Sequence, residues 1–166
     1  MFKLSLVRLI YWLKGRIENP IELFRALGIR TNESILEIGC AIGYHTIILA
    51  NIVIQGKIIA VDIWEEGLEF LEKRIKDFPN IEIQKVCGDS IDVPSSSIYK
   101  IICFDTLHEI PNHDRAIKKW ITVLKEGGKF IFRDPEVGPT QIEEISNNKL
   151  IITGIIDNIY VFVCKK

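Results

Sequence analysis

The four cysteines, Cys40, Cys87, Cys103 and Cys164, form no C-x-x-C pair, and three of them lie inside apolar runs. They read as small buried hydrophobes in a reducing cytoplasm rather than as a disulfide or redox frame. The three histidines have no paired spacing, so no metal is expected. A balance of 21 basic against 22 acidic side chains gives no overall field toward nucleic acid or an anionic membrane. The chain shows no internal repeat, low-complexity tract or block of like charge. Its 166 residues, 48% of them hydrophobic, suffice for one domain with a real core and are short for two.

The N-terminus, "MFKLSLVRLIYWLKG", is a poor signal peptide. Arg8 interrupts the apolar stretch, and no small-residue cleavage site follows. It is also too short and too charged to span a bilayer. Lys3, Arg8, Tyr11 and Lys14 recur at roughly helical spacing and mark one polar edge. An amphipathic, basic helix packed on the domain is the expectation, with attachment to a membrane surface as the other reading.

Short β-rich runs then alternate with amphipathic segments. "NPIELFRALGI" begins on Asn19 as N-cap with Pro20 at the first helical position, and Gly28 ends it. "SILEIG" reads as a buried strand and "YHTIILANIV" as the helix after it. "GKIIAVDI" is a second strand. "EEGLEFLEKRIKDF" is a helix with Leu68, Leu71, Ile75 and Phe78 on one face. "NIEIQKVCGDS" supplies a third strand and "YKIICFD" a fourth, apolar throughout as an interior parallel strand should be. "NHDRAIKKWITVLKEGG" is read as one helix closed by Gly127, before a fifth strand, "KFIFRD". "PTQIEEISNN" is a short helix. "KLIITGIIDNIYVFVCKK" gives two strands around a turn at Asp157 and Asn158.

The alternation over residues 35–134 predicts an α/β, doubly wound, mostly parallel sheet with helices on both faces and a C-terminal antiparallel hairpin. Residues 1–34 form N-terminal helices, a cap or interface, and residues 35–166 form the core. Open α/β sheets bind ligands outside the carboxyl ends of their strands. Acids gather there: Glu37 at the first strand, Asp62 after the second, Asp89 after the third, Asp105 after the fourth and Asp134 after the fifth. The first of these turns, "ILEIGCAIGY", is close to a nucleotide-binding fingerprint, but Ala41 stands where a second glycine is expected. A tight strand-to-helix turn alone would also account for its glycines.

In "LEIGCAIG", "AVDI", "CGDS", "IICFDTLHEI" and "VLKEGGKFIF", taken in order, the chain resembles the class I S-adenosylmethionine-dependent methyltransferases. The resemblance covers about residues 20–165 and is nearest to the family's small-molecule branch. It implies a Rossmann-like sheet of seven strands, S-adenosylmethionine as cofactor, and methyl transfer by in-line displacement to a small-molecule acceptor in the cytoplasm.

The resemblance also implies a site. Gly39, Ala41 and Gly43 would let backbone approach the ligand's amino-acid tail and ribose. Glu37 would balance its ammonium, and Tyr44 would edge the methionine pocket. Asp62, 23 residues after Gly39, would accept from both ribose hydroxyls. Ile63 would cover one adenine face, with Phe104 and Leu107 on the other side. Asp89 would accept from the exocyclic amine, and the Ser90 N–H would meet a ring nitrogen. His108 is the candidate general base, because histidine titrates near neutrality; the other reading is that it caps or packs the following loop. Asp105 is the candidate to orient the acceptor, with Asp134 as a further one, although "RDP" reads equally as a strand-ending turn. His45 is read as a helix start.

The alternatives are an RNA or protein methyltransferase with the same core, and a cofactor-binding module without catalysis. An RNA partner would need a basic patch from Lys3, Arg8, Lys14, Arg16 or the Lys118–Lys119 pair. A nicotinamide oxidoreductase is disfavoured by Glu37, which would repel a pyrophosphate. The N-terminal helix could be a lid, a homodimer interface or a membrane contact.

Overall fold

A computed structural model describes residues 4–17 and 19–166. Seven strands form one sheet: β1 (Ser34–Ile38), β2 (Lys57–Asp62), β3 (Ile81–Lys85), β4 (Ile98–Phe104), β5 (Leu124–Arg133), β6 (Leu150–Ile156) and β7 (Ile159–Cys164). Their spatial order is β3-β2-β1-β4-β5-β7-β6. The first five run parallel, and β7 lies antiparallel between β5 and β6. The order reverses between β1 and β4, which puts the switch-point crevice beyond Ile38 and Phe104.

Among the described residues six α-helices flank the sheet: α1 (Leu4–Ile17), α2 (Pro20–Ala26), α3 (Tyr44–Ile52), α4 (Glu65–Arg74), α5 (His113–Val123) and α6 (Pro139–Ile145). Strand side chains alternate between the two faces. Ile35, Ile58, Ile102 and Ile131 pack with Phe24, Leu27, Leu49 and Ala50 of the α2–α3 layer. Leu68 and Leu71 of α4 close over Ala60 on that side. Leu36, Ile38, Ile101 and Cys103 face Ala116, Ile117 and Trp120 of α5 and Ile142 of α6. Phe24, Leu27 and Ile29, from the 1–34 segment, are thus part of the main core.

Local signals explain most boundaries. The Asn19 side chain accepts from the Glu22 N–H, and Pro20 opens α2. Gly28 leaves that helix at φ 74. Asn112 caps α5 by accepting from the Arg115 N–H. Asp157 and Asn158 take φ 47 and 61, and Ile156 pairs with Ile159 across them, a two-residue turn of the kind that matches strand twist.

Three expectations are corrected. The helix of α5 stops at Val123 instead of running to Gly127. Leu124 already pairs with Ile98, and a register shift between Ile98 and Lys100 takes up the irregularity. Buried Leu124 is claimed by the sheet, while Gly127, at φ 71, lies within β5. Helix α4 ends at Arg74, where Ile75 leaves helical geometry, so Phe78 sits in the following turn.

The third concerns α1, expected to pack on the domain: it does so along one edge, where Leu4 and Val7 are half-buried, but leaves its longer apolar stripe outside. Its Arg8 guanidinium lies 5.0 Å from the centroid of Phe70 on α4, so the edge carrying Arg8 meets the domain. The stripe Leu6, Leu9, Ile10 and Leu13 is exposed. Lys3 lies outside the described residues, as do the side chains of Tyr11, Lys14 and Arg16.

Candidate active site

The turn after β1 is built from three left-handed residues: Gly39 at φ 78, Ala41 at φ 47 and Gly43 at φ 77. A Cβ on Gly39 would lie 2.0 Å from the Thr106 hydroxyl oxygen in the loop after β4, so the switch point closes only over a glycine. Gly39→Ala should destabilise the protein by about 2 kcal/mol or more, from forced left-handed backbone plus the clash. A urea midpoint that falls at constant slope would show it.

Ala41 tolerates a conformation that costs an L-residue about 1–2 kcal/mol because Asp62 holds it. The Ala41 N–H donates to Asp62 Oδ2 at 2.8 Å, and the Trp64 N–H donates to Asp62 Oδ1 at 2.8 Å. One carboxylate therefore ties the glycine turn to the end of β2. The Gly39 and Cys40 N–H groups add bonds to the Val61 carbonyl, and the Arg74 guanidinium donates to the Ile42 carbonyl at 3.0 Å.

Glu37 is 3% exposed, and its Oε2 accepts from the Thr46 hydroxyl of α3 at 2.6 Å. Burial pushes its carboxyl up to about 7; the Thr46 bond pulls the other way, and the charge of Asp62 adds to the rise. An acid poised there gains most from a cation arriving beside it.

Around this turn stand the remaining residues expected on the cofactor side. Ile63 is 66% exposed directly after Asp62, an apolar surface open beside a carboxylate. Asp89 and Ser90 lie in a single 3-10 turn, Gly88–Ser90. The Ser90 hydroxyl donates to Asp89, and the Ser90 N–H is bonded to the Cys87 carbonyl within the turn. Trp120 Nε1 anchors the turn from below through the Gly88 carbonyl, at 2.8 Å. Phe104 ends β4 with its ring edge-on to His45, 5.5 Å between centroids, and His45 also meets Tyr44 and Phe24. His45 is thus part of an aromatic cluster rather than only a helix start. Leu107 is wholly buried in the core against the α5 layer and does not line the crevice.

The ends of β4 and β5 supply two acid–base pairs. Asp105, at φ 53, makes a bidentate ion pair with Arg133, 3.1 Å from Nε and 2.7 Å from an Nη. The same guanidinium sits 5.2 Å from the Phe104 ring centroid. Asp134 has a fully buried side chain, and its Oδ2 lies 3.0 Å from His108 Nδ1. Its other oxygen accepts from the Glu136 and Val137 N–H groups. Burial works to raise the Asp134 carboxyl, but the His108 bond and these backbone donors hold it below the usual range. The Asp134 bond raises His108 above the ordinary histidine value, against a smaller opposing effect of burial. Burial lifts the thiols of Cys40 and Cys103 well above their usual value, so neither is a poised nucleophile. Among the described residues no cluster of three or more His, Cys, Asp or Glu could hold a metal ion.

Sequence reasoning did not single out Thr46, Arg74 or Trp120 for the site, nor pair Arg133 with Asp105. Each acts across a gap that only the fold closes. The one local hint is Thr46, a hydroxyl in the first turn of a helix whose N-cap, Gly43, has no side chain to offer.

A family profile described as a methyltransferase domain matches residues 29–160. The chain belongs to this methyltransferase family. Its fold is shared with a SAM dependent methyltransferase from Aquifex aeolicus, at a TM-score of 0.81 and 16% identity over 99% of this chain and 98% of that one. The PH0226 protein from Pyrococcus horikoshii superposes at 0.71 with 17% identity, covering 92% and 90% of the two chains. The YcgJ protein from Bacillus subtilis gives 0.70 with 18% identity, covering 82% and 70%. No curated protein matches the sequence.

The cofactor of this methyltransferase fold is S-adenosylmethionine, a cation with a ribose diol and a flat base. The residues present suit it. The turn carries a buried acid near neutrality, a fixed carboxylate follows at the end of β2, and an exposed apolar side chain stands next to that carboxylate. A pyrophosphate would meet Glu37 as repulsive charge.

Proposed function

We propose that this methyltransferase transfers the methyl group of S-adenosylmethionine to a small-molecule acceptor, with His108 as general base. Glu37 and the Gly39–Ala41–Gly43 turn take the amino-acid end, beside Tyr44. Asp62 takes the ribose hydroxyls. Ile63, Asp89, Ser90 and Phe104 surround the adenine. The bound cofactor supplies an already activated methyl group, so the protein's task is alignment, exclusion of water and removal of the acceptor's proton.

The observation that carries the reading is the His108–Asp134 pair at the same sheet edge as the acids. Nδ1 is engaged by a buried carboxylate while the ring keeps 22% of its surface exposed. With Nδ1–H donating to Asp134, the tautomer and orientation of His108 are set, and Nε2, 4.0 Å from the Glu109 carboxylate, is the nitrogen that takes the acceptor's proton. Asp105, held in place by Arg133, orients the acceptor. Short connections after β4 and β5 supply no large docking domain, which favours a small acceptor. Free cysteines accord with a cytoplasmic location.

His108 must be neutral to act as a base, and its value lies above 6.5. The rate should therefore climb as pH rises through that raised value. His108→Ala should lower kcat by about 100-fold or more. Asp134→Asn should move the acid limb of the profile to lower pH. A limb that stays put in Asp134→Asn would remove His108 from the role. Labelled-methyl transfer with small phenols, amines and thiols, run against total RNA and total protein, tests the acceptor class; label found only in RNA or protein overturns it. One observation favours an RNA acceptor as a second reading: Arg115, Lys118 and Lys119 line an open groove beside Asp89 and Ser90.

A further inference from the structure

Helix α1 meets the domain along one edge, where Leu4 and Val7 are half-buried. Its Arg8 edge lies on Phe70 of α4. Leu6, Leu9, Ile10 and Leu13, spaced i, i+3, i+4, i+7, are 48%, 51%, 41% and 46% exposed. Trp12, beside them, is 54% exposed. An apolar stripe of this length turned to water points to an occupant outside the domain.

Charge selects among the occupants. Of the 21 basic side chains four lie in residues 1–17, at Lys3, Arg8, Lys14 and Arg16, and of the 22 acidic ones none does. The rest of the chain therefore carries five more acids than bases. A second copy would bring a like-charged segment onto this one. An anionic lipid surface accepts both properties together, because the apolar stripe enters the acyl boundary while the net positive charge of the segment is drawn to anionic headgroups. A tryptophan suits the same interface. Among the described residues no helix is long and apolar enough to cross a membrane, so the segment would lie on the surface.

From this combination we infer that α1 docks the protein peripherally on an anionic membrane surface, through Leu6, Leu9, Ile10 and Leu13. The docking helix is linked to the candidate site. Phe70, under Arg8, also carries Arg74 at 5.4 Å, and Arg74 donates to the Ile42 carbonyl of the glycine turn. Docking through α1 thus holds the crevice close to the lipid boundary, where an apolar small acceptor would be concentrated.

The test is co-sedimentation of the full chain with vesicles of phosphatidylglycerol mixed with phosphatidylcholine, against phosphatidylcholine alone. The anionic vesicles should bind it about ten-fold or more tightly, and added salt should release much of it. Leu9→Glu/Leu13→Glu should abolish binding while leaving cofactor affinity and the unfolding midpoint as in the wild type. If that variant does not fold, the wild-type contrast between the two vesicle types and Leu6→Gln/Ile10→Gln decide instead. No binding to either vesicle overturns the inference, and so does equal binding to both. A wild-type dimer in light scattering that the double variant dissolves, with no vesicle binding, assigns the stripe to a second copy and also overturns it.

Discussion

Asp62→Ala should weaken S-adenosylmethionine binding by about 100-fold or more. Hydrogen bonds to a charged group are worth about 1.5–3 kcal/mol each, and the proposal gives this carboxylate two ribose hydroxyls. The carboxylate also accepts from the Ala41 and Trp64 N–H groups, so its loss frees the turn as well. The two effects separate in Asp62→Asn. The amide keeps the side chain's size and can accept from one backbone donor through its oxygen, but it presents an NH2 group where the second oxygen was. It should retain most of the thermal stability while losing much of the affinity. Unchanged affinity in Asp62→Asn would make Asp62 a purely structural tie between β1 and β2.

Glu37→Gln should stabilise the free protein and weaken cofactor binding. The sign follows from burial. With a folded value of about 7 against 4.5, the native state binds more protons than the unfolded chain between those values. Stability therefore falls as pH rises from about 4.5, and the full cost, about 3 kcal/mol, is present above 7. A glutamine never ionises, so the variant should match the wild type near pH 4.5 and exceed it near pH 8. The cofactor's ammonium meanwhile loses its countercharge, and affinity near pH 8 should drop by about ten-fold. In the wild type affinity should rise with pH as Glu37 ionises. Urea midpoints at the two pH values, with and without cofactor, measure all of this. A variant less stable than the wild type near pH 8 would contradict the assignment of a destabilising buried charge.

The strand–helix alternation of residues 35–134 and the Asp157–Asn158 turn were legible because their signals are local: periodicity, caps and turn residues. The ends of β1 and β2 were legible too, since glycines and acids stand there at characteristic spacing. The α5–β5 boundary was not. "KEGG" reads as a helix end, and only pairing of Leu124 with the distant Ile98 claims it for the sheet. The coupling of His108 to Asp134, 26 residues apart, and of Arg133 to Asp105, 28 apart, arises only when β4 and β5 lie side by side. Leu107 shows the reverse failure. Its position after a strand suggests the crevice, but the 3-10 turn Leu107–Glu109 rotates it into the core. For α1, periodicity identified the two faces but could not say which one meets the domain.

The measurement that bears most directly on the whole account is a calorimetric titration of the folded protein with S-adenosylmethionine, with NAD as the control ligand. The protein should bind S-adenosylmethionine saturably and one-to-one, give no heat with NAD, and lose the signal in Asp62→Ala. Folded protein that gives no heat with S-adenosylmethionine, or that responds to NAD, would contradict it.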